Sequence, residues 1–434
     1  MSYPVIESSL SGGTRVFTSA PALNAPLANV HLIFSLPSDL PEIAGELEVL
    51  LEWMQRGTQQ RSRLAIGQAF GALGVEPQLT SFDAAVTFSF QALDAIRAPI
   101  CALAAELLYA PALDDEELLR VLQEFDEDER ASHDEPSDIA ARAHRFARWS
   151  GTPLYLPPNG SASTRAKLSA DYLRALHAKI FTRPAIVGVA SPLTSEWLDV
   201  IETQLLQKRP LPTPFIASSR AKLTPTPRQV VVDAPSMEHA VVMRFGPGPA
   251  ADDLDAIAHA RLFHEALCDG MSAPLMNELR GQQALSYSVS SSLLDRGDLW
   301  DQLFEVEPEP KRALEALQSA RALWLDDELL LEEDFARARA QLATSERIHL
   351  IDAGRALSTI LREEILRGRA LGWRQELAEA RDRVEMDEAI AAARAWGLAG
   401  EDLGTVIVGP AKKLPKSLRA EAISVAEIFD PKDR

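Results

Sequence analysis

One helix–strand unit occurs twice in this chain, once before its middle and once near its end. The first copy reads SADYLRALHAKIFTRPAIVGVA from Ser169, and the second reads EMDEAIAAARAWGLAGEDLGTVIVG from Glu385. The elements ahead of each copy also recur in order. In the first half, Arg15–Ser19 and Ala28–Ser35 read as strands, and Pro37 and Pro41 break the pattern. Glu42–Gln55 then reads as a helix with Leu47, Leu50, Leu51 and Met54 on its apolar stripe. Ser62 suits the N-cap of a second helix running through Leu73. Val86, Phe88 and Phe90 alternate with Thr87 and Ser89 as a half-buried strand. Helical tracts follow at Ile96–Tyr109 and at Asp114–Trp149, the latter interrupted near Pro136. Ser169 caps Ala170–Phe181, and Pro184–Ala190 is the closing strand.

The second half repeats this order. Strand Ala240–Phe245 precedes a polar break, helix Leu254–Cys268, a strand pair and long helices from Arg312 to Arg367. Helix Met386–Trp396 and strand Thr405–Val408 close it. A supersecondary order repeated once restricts the chain to two copies of one α+β unit. Strands followed by paired helices predict helices layered on one face of a mostly antiparallel sheet. Between the copies, Lys208–Arg228 holds five prolines and few core-type residues, and reads as a semi-extended linker. The expected division is an N-terminal domain over 1–207, a linker over 208–228 and a C-terminal domain over 229–434. A chain of 434 residues is too long for one ordinary core, which agrees with two domains.

The most informative stretch for function is Ser272–Ser292, SAPLMNELRGQQALSYSVSSS. Leu275, Met276 and Leu279 fall on one face of a short helix. After Gln283 the period becomes two: Leu285, Tyr287 and Val289 alternate with serines, as in a strand with one covered face. A helix ending at Arg280 and a strand carrying Tyr287 aim a guanidinium and a phenol at the same space. The guanidinium is a forked donor that keeps its charge, and the phenol adds another donor. Together they suit a carbonyl or a carboxylate. The plain alternative is a surface Arg at a helix end and a Tyr packed on a sheet.

The segment Gly270–Tyr287 resembles the C-terminal-domain signature of the pitrilysin/insulinase-type zinc metallopeptidases, roughly G-x-S-x-x-L-x-x-x-L-R-x-x-x-G-L-x-Y. Gly270, Ser272, Leu275, Leu279, Arg280, Leu285 and Tyr287 fit it. Ala284 stands where the family usually has Gly, and Gly281 where it usually has Glu. GTPLYLPPNG at Gly151–Gly160 resembles the family's short Gly/Pro-rich segment, and similarity in order runs from about residue 10 to 412. The resemblance implies two tandem homologous domains shaped like half a clamshell. It also implies that Arg280 and Tyr287 bind substrate opposite a zinc site.

A catalytic member of that family carries H-x-x-E-H on the first long helix. Two His four apart bind zinc from one face, and the Glu serves as general base for the water. Aligned from Gly57-Thr58, the His positions hold Glu48 and Glu52 and the Glu position holds Leu51. A one-residue deletion would place Val49, Glu52 and Trp53 there instead. Neither alignment supplies a His, so Glu48 and Glu52 read as a solvated helix face. The family's third ligand is a Glu some seventy residues downstream. Glu117, Glu124 and Glu127 lie there in a wholly acidic tract and also read as solvated charges. His31, His133, His144, His177, His239, His259, His264 and His349 are scattered and rebuild no site.

The net charge of −19 argues against nucleic acid or anionic lipid as a partner. Cys101 and Cys268 in apolar contexts suggest a reduced compartment. Neither a signal-peptide pattern nor an 18-residue apolar run is present, so a cytoplasmic protein without a membrane span is expected. The resemblance extends to two-chain peptidases in which one subunit carries zinc and the other lacks H-x-x-E-H yet supplies the Arg/Tyr pair. It therefore implies a non-zinc subunit with no catalytic or metal residues of its own and no independent activity. Its cofactor, zinc, would reside in an H-x-x-E-H-bearing homologous partner acting on a peptide or unfolded protein. The rival expectation is a catalytically inert scaffold built for assembly alone.

Overall fold

The structure, a computed structural model, describes residues 5–429 apart from 11–12, 21–24, 37–39, 83–84, 153, 209–227, 271, 298, 325, 327 and 397–402. The proline-rich stretch therefore lies, but for its end residues, outside the described residues. Strands β1 (Val5–Ser9), β2 (Arg15–Ser19), β3 (Leu27–Ser35), β4 (Gln78–Phe82), β5 (Ala85–Leu93) and β6 (Ala185–Ala190) form one sheet. Its order is β1-β2-β6-β3-β5-β4, and only β2 and β6 pair in parallel. Strands β7 (Gln229–Asp233), β8 (Val241–Ala250), β9 (Ser286–Asp295), β10 (Leu299–Pro308), β11 (Gly404–Gly409) and β12 (Ala422–Ser424) form the second, in the order β12-β7-β11-β8-β10-β9. Five strands correspond position by position, so the repeat in the sequence is a repeat of topology. The sixth strand is added from opposite chain ends: β1 runs antiparallel to β2, whereas β12 runs parallel to β7.

Helices are layered on both sheets, as expected, and on the first sheet a further helix packs on the opposite face. On the first, α1 (Glu46–Met54), α2 (Arg63–Ala72), α3 (Arg97–Tyr109) and the helix Ala170–Phe181 bury Leu50, Trp53, Ile100 and Ile180 against Val30, Leu32, Phe34, Phe88 and Val187. Alternation along β3 and β6 sends Ile33 and Ile186 to the opposite face, where Ala353, Leu357 and Leu361 pack. Close approach there depends on missing side chains. A Cβ on Gly188 would lie 2.6 Å from a methyl of Leu361, and one on Gly354 would lie 2.1 Å from Asn29.

The helix α4 (Asp115–Ser132) is followed by α5 (Pro136–Trp149), which lays Ile139, Ala140, Ala143 and Ala147 on the second sheet against Val232, Met243, Phe245 and Val406. The two compact units are therefore discontinuous in sequence. The first takes in residues 346–373, and the second takes in 128–157. Short side chains along one stripe of α5 let it lie close to the strands. Deeper, Arg148 donates to Asp301 of β10 at 2.7 and 2.9 Å, with both side chains almost wholly buried. Burial pushes the Asp301 carboxyl up to about 6, against the pull of Arg148. Among the described residues no helix is long and apolar enough to cross a membrane.

Candidate functional site

After helix Leu254–Cys268 the chain turns at Gly270, whose φ of +90° suits a residue without a side chain. A short helix Pro274–Met276 continues as wider turns over Asn277–Gln282. Leu275 and Leu279 are fully buried, which fixes the roll of this segment and leaves Arg280 on the open side. Ala284 then adopts φ +46°, the left-handed conformation that a Gly would take more readily.

Strand β9 departs from a simple alternation. Val289 pairs with Val306 and Ser286 with Pro308, so three steps on β9 oppose two on β10. This is a bulge at Tyr287–Ser288. The Ser286 hydroxyl fills it, donating to the carbonyl of Ser288 at 2.5 Å and accepting the Glu307 amide at 2.8 Å. Leu285, Ser286 and Val289 are buried, whereas Tyr287 is 72% exposed. The phenol expected on the covered face of the strand therefore stands in solvent.

The bulge and the preceding turns bring the two predicted residues together. The guanidinium carbon of Arg280 lies 5.0 Å from the centre of the Tyr287 ring, within cation–π range. Neither side chain has a hydrogen-bond or ion-pair partner among the described residues. The pair thus presents a stacked, uncompensated cation and a free phenol side by side. Such a surface can accept a carbonyl or carboxylate by two or three donated hydrogen bonds.

The helix that would carry zinc is α1, and its chemistry is different. Leu51 is buried. Glu48 and Glu52 are half-buried and engaged, which corrects the reading of a solvated face. Glu48 accepts a hydrogen bond from the Ser81 hydroxyl. Glu52 accepts from Arg56, one turn later, at 2.5 Å. The same guanidinium donates to both oxygens of Glu124 on α4, at 2.5 and 3.1 Å. Arg56 is 3% exposed at its side chain. Burial opposes its charge, but the hydrogen bonds and charges of Glu124 and Glu52 hold its pKa above the ordinary arginine value. Hydrogen bonding to Arg56 holds the Glu124 carboxyl below its usual range. Glu124 is thus a partner and not a stray charge of the acidic tract.

A guanidinium accordingly occupies the space between the two carboxylates to which a metal would be drawn. These residues do not fit zinc, and no group of three or more His, Cys, Asp or Glu suited to a metal ion occurs among the described residues. Spacing alone could have pointed to Arg56, since Glu52 and Arg56 stand four apart on one helix.

His264 and His31 take structural places. His264 bonds through Nδ1 with the Ser291 hydroxyl and through Nε2 with Gln302 at 3.4 Å, in the core of the second unit. His31 sits under the helix Ala353–Ile360, and burial lowers its pKa to about 4. Glu265, on the helix ahead of the Arg/Tyr segment, is pushed up to about 7 by burial and by neighbouring Asp269.

Known proteins resemble this chain over most of its length. The family model described as the Peptidase M16 inactive domain matches residues 167–342, which include both Arg280 and Tyr287. An uncharacterized zinc protease of Streptomyces coelicolor is 23% identical over 97% of this chain and 93% of its own length. One from Mycobacterium tuberculosis is 24% identical over 95% of each chain. Among solved structures, a peptidase M16 inactive domain from Pseudomonas fluorescens superposes with a TM-score of 0.81 at 18% identity, covering 94% of this chain and 98% of that one. The first half of the periplasmic protease PqqL from Escherichia coli gives 0.72 at 15% identity, covering 99% and 97%. The chain, whose α1 holds an arginine clamp, is thus similar in sequence to the peptidase M16 inactive domain over residues 167–342 and similar in fold to such a domain over most of its length.

Proposed function

We propose that this chain is the non-zinc subunit of a two-chain processing-type peptidase. It binds the backbone of a peptide or unfolded protein through Arg280 and Tyr287, and an H-x-x-E-H-bearing homologous subunit hydrolyses the bound segment. The observation that carries the reading is the exposed Arg280–Tyr287 stack, built by a bulge and a left-handed Ala284, with no partner among the described residues. A purely structural arginine would be expected to pair. On this reading the guanidinium and phenol donate to a substrate carbonyl and hold it in register, and the chain itself moves no proton. The two free cysteines, both buried, fit a reducing compartment such as the cytoplasm.

The test is copurification of a homologous chain carrying H-x-x-E-H, followed by Arg280→Ala and Tyr287→Phe in the reassembled complex. Removing one preorganised donor to developing charge costs about 2.7–4 kcal/mol, on the order of a hundredfold or more in rate. Each variant should therefore assemble and melt as wild type while peptide turnover falls by about that factor. Undiminished turnover in both variants would favour an assembly scaffold instead.

A further inference from the structure

A cavity of about 720 Å³ opens between α5 and the strands it covers, wholly within the second unit. Its floor is apolar, made by Val241, Met243 and Leu303. Its two ends carry opposite charge. At one end are Arg145 and Arg296, the latter 5.7 Å over the Trp149 ring. Arg145 donates only to the carbonyls of Leu154 and Leu156, and no carboxylate pairs with it among the described residues. Asp301 on β10 is taken by Arg148. At the other end stand Glu305 and Glu307. They follow Leu303 on the same face of β10, and burial together with Glu307 raises the pKa of Glu305. Along β10, Glu305 is four residues beyond Asp301, the partner of Arg148, and at the rise of a strand that spacing of about 13 Å sets the scale of the distance between the ends.

His144 lines the cavity between them and is 6% exposed, yet its Nε2 has no hydrogen-bond partner among the described residues. Burial and the charges of Arg296, Arg148 and Arg145 lower its pKa to about 3, so the ring is neutral and able to give or take one hydrogen bond. An unsatisfied buried nitrogen costs about 1–3 kcal/mol, whereas a phenyl ring would fill the same place without that cost. A nitrogen kept there at the wall of a charged, apolar-floored cavity points to a ligand that completes it.

We propose that this cavity binds a short zwitterionic peptide with free termini and an apolar body. Its carboxylate lies toward Arg145 and Arg296, its ammonium group toward Glu305 and Glu307, and His144 bonds a polar group between them. The volume is that of ordinary small-molecule sites, and the span of the charges matches three or four extended residues better than one.

The test is isothermal titration of the full chain with the tripeptide Ala-Leu-Ala, with its N-acetylated and C-amidated forms, and with L-leucine, which is too short to reach both ends. Saturable one-to-one binding of the tripeptide is expected, stronger than that of L-leucine, with at least a tenfold loss on blocking either terminus. Arg296→Gln should weaken the free tripeptide at least tenfold and leave the C-amide nearly unchanged. Glu307→Gln should do the same with respect to the N-acetyl form, a ligand-specific pattern that a general loss of structure would not produce. His144→Phe should weaken binding without lowering the melting temperature. Absence of saturable binding by wild type at millimolar probe, unchanged affinity in His144→Phe, or equal losses for every ligand in every variant would overturn the proposal.

Discussion

At the scale of single residues, the candidate site depends on conformations that its side chains do not prefer. Ala284 at φ +46° is held left-handed between the turns carrying Arg280 and the strand carrying Tyr287. An L-residue in that region is strained by roughly 1–2 kcal/mol, part of which Gly would recover at the expense of a more flexible unfolded chain. Ala284→Gly should therefore raise the unfolding free energy by about 0.5–1 kcal/mol and leave the Arg280–Tyr287 stack in place. Urea denaturation checks it, and a destabilised variant would mean that the methyl group packs usefully. The role of Arg56 is tested in the same way. Arg56→Ala leaves Glu52 and Glu124 facing one another across α1 and α4. Both carboxylates are more than a third exposed, so solvent screening limits the loss to about 1–2 kcal/mol. With Arg56 bonded to Glu52 and Glu124, purified wild-type chain should carry no stoichiometric zinc. Elemental analysis near one zinc per chain, together with an Arg56→Ala melt equal to wild type, would refute the role given to the clamp.

At the scale of elements, most of the secondary structure was legible in the sequence because it follows from local periodicity. Ser62 and Ser169 cap the helices expected of them, and Pro136 opens α5 where the acidic tract was read as broken. What could not be read is where an element docks. The stripe Ile139, Ala140, Ala143 and Ala147 predicts that α5 buries a face, but not that it buries it on strands that begin some eighty residues later. The exposure of Tyr287 was equally hidden. A period-two pattern assumes a straight ladder, and the bulge that turns the phenol outward is set by pairing with Val306 and Pro308. Half of the candidate site was thus visible as residue types at a given spacing, and the half that concerns orientation was not. The docking of α5 makes its own prediction. Arg148 and Asp301 are buried together, and breaking such a pair by removing one partner costs about 3–5 kcal/mol because the other charge is stranded. Asp301→Asn keeps the shape but removes the compensating charge, and should lower the thermal midpoint by many degrees. Replacing both at once by Met and Leu should restore much of the loss. An Asp301→Asn protein as stable as wild type would show that Arg148 reaches water or another acceptor.

At the scale of the whole molecule, the question is how far the two halves of the chain are separate folding units. The proline-rich stretch over 208–228 is the boundary proposed from the sequence, and its composition suits proteolytic attack. A boundary in sequence need not be a boundary in structure. The first sheet receives the helix Ala353–Ile360 from the C-terminal half, and Gly188 and Gly354 give up their side chains to let it approach. The second sheet receives α5 from the N-terminal half, anchored by Arg148. A cut at the linker would therefore leave each fragment holding a helix that the other fragment's sheet needs. Neither sheet could bury its second apolar face alone, and apolar burial is the dominant favourable term in folding. Limited trypsin or subtilisin treatment should cut first within 208–228 and give two fragments of similar size under denaturing electrophoresis. The same digest should elute from gel filtration as one particle of the original size and melt in one transition. Residues 229–434 expressed alone should be insoluble or bind hydrophobic dye, and should recover when 1–207 is coexpressed. Two fragments that separate under native conditions and each melt cooperatively would show that the exchanged helices are dispensable, and that the boundary read from the prolines divides the fold as well as the sequence.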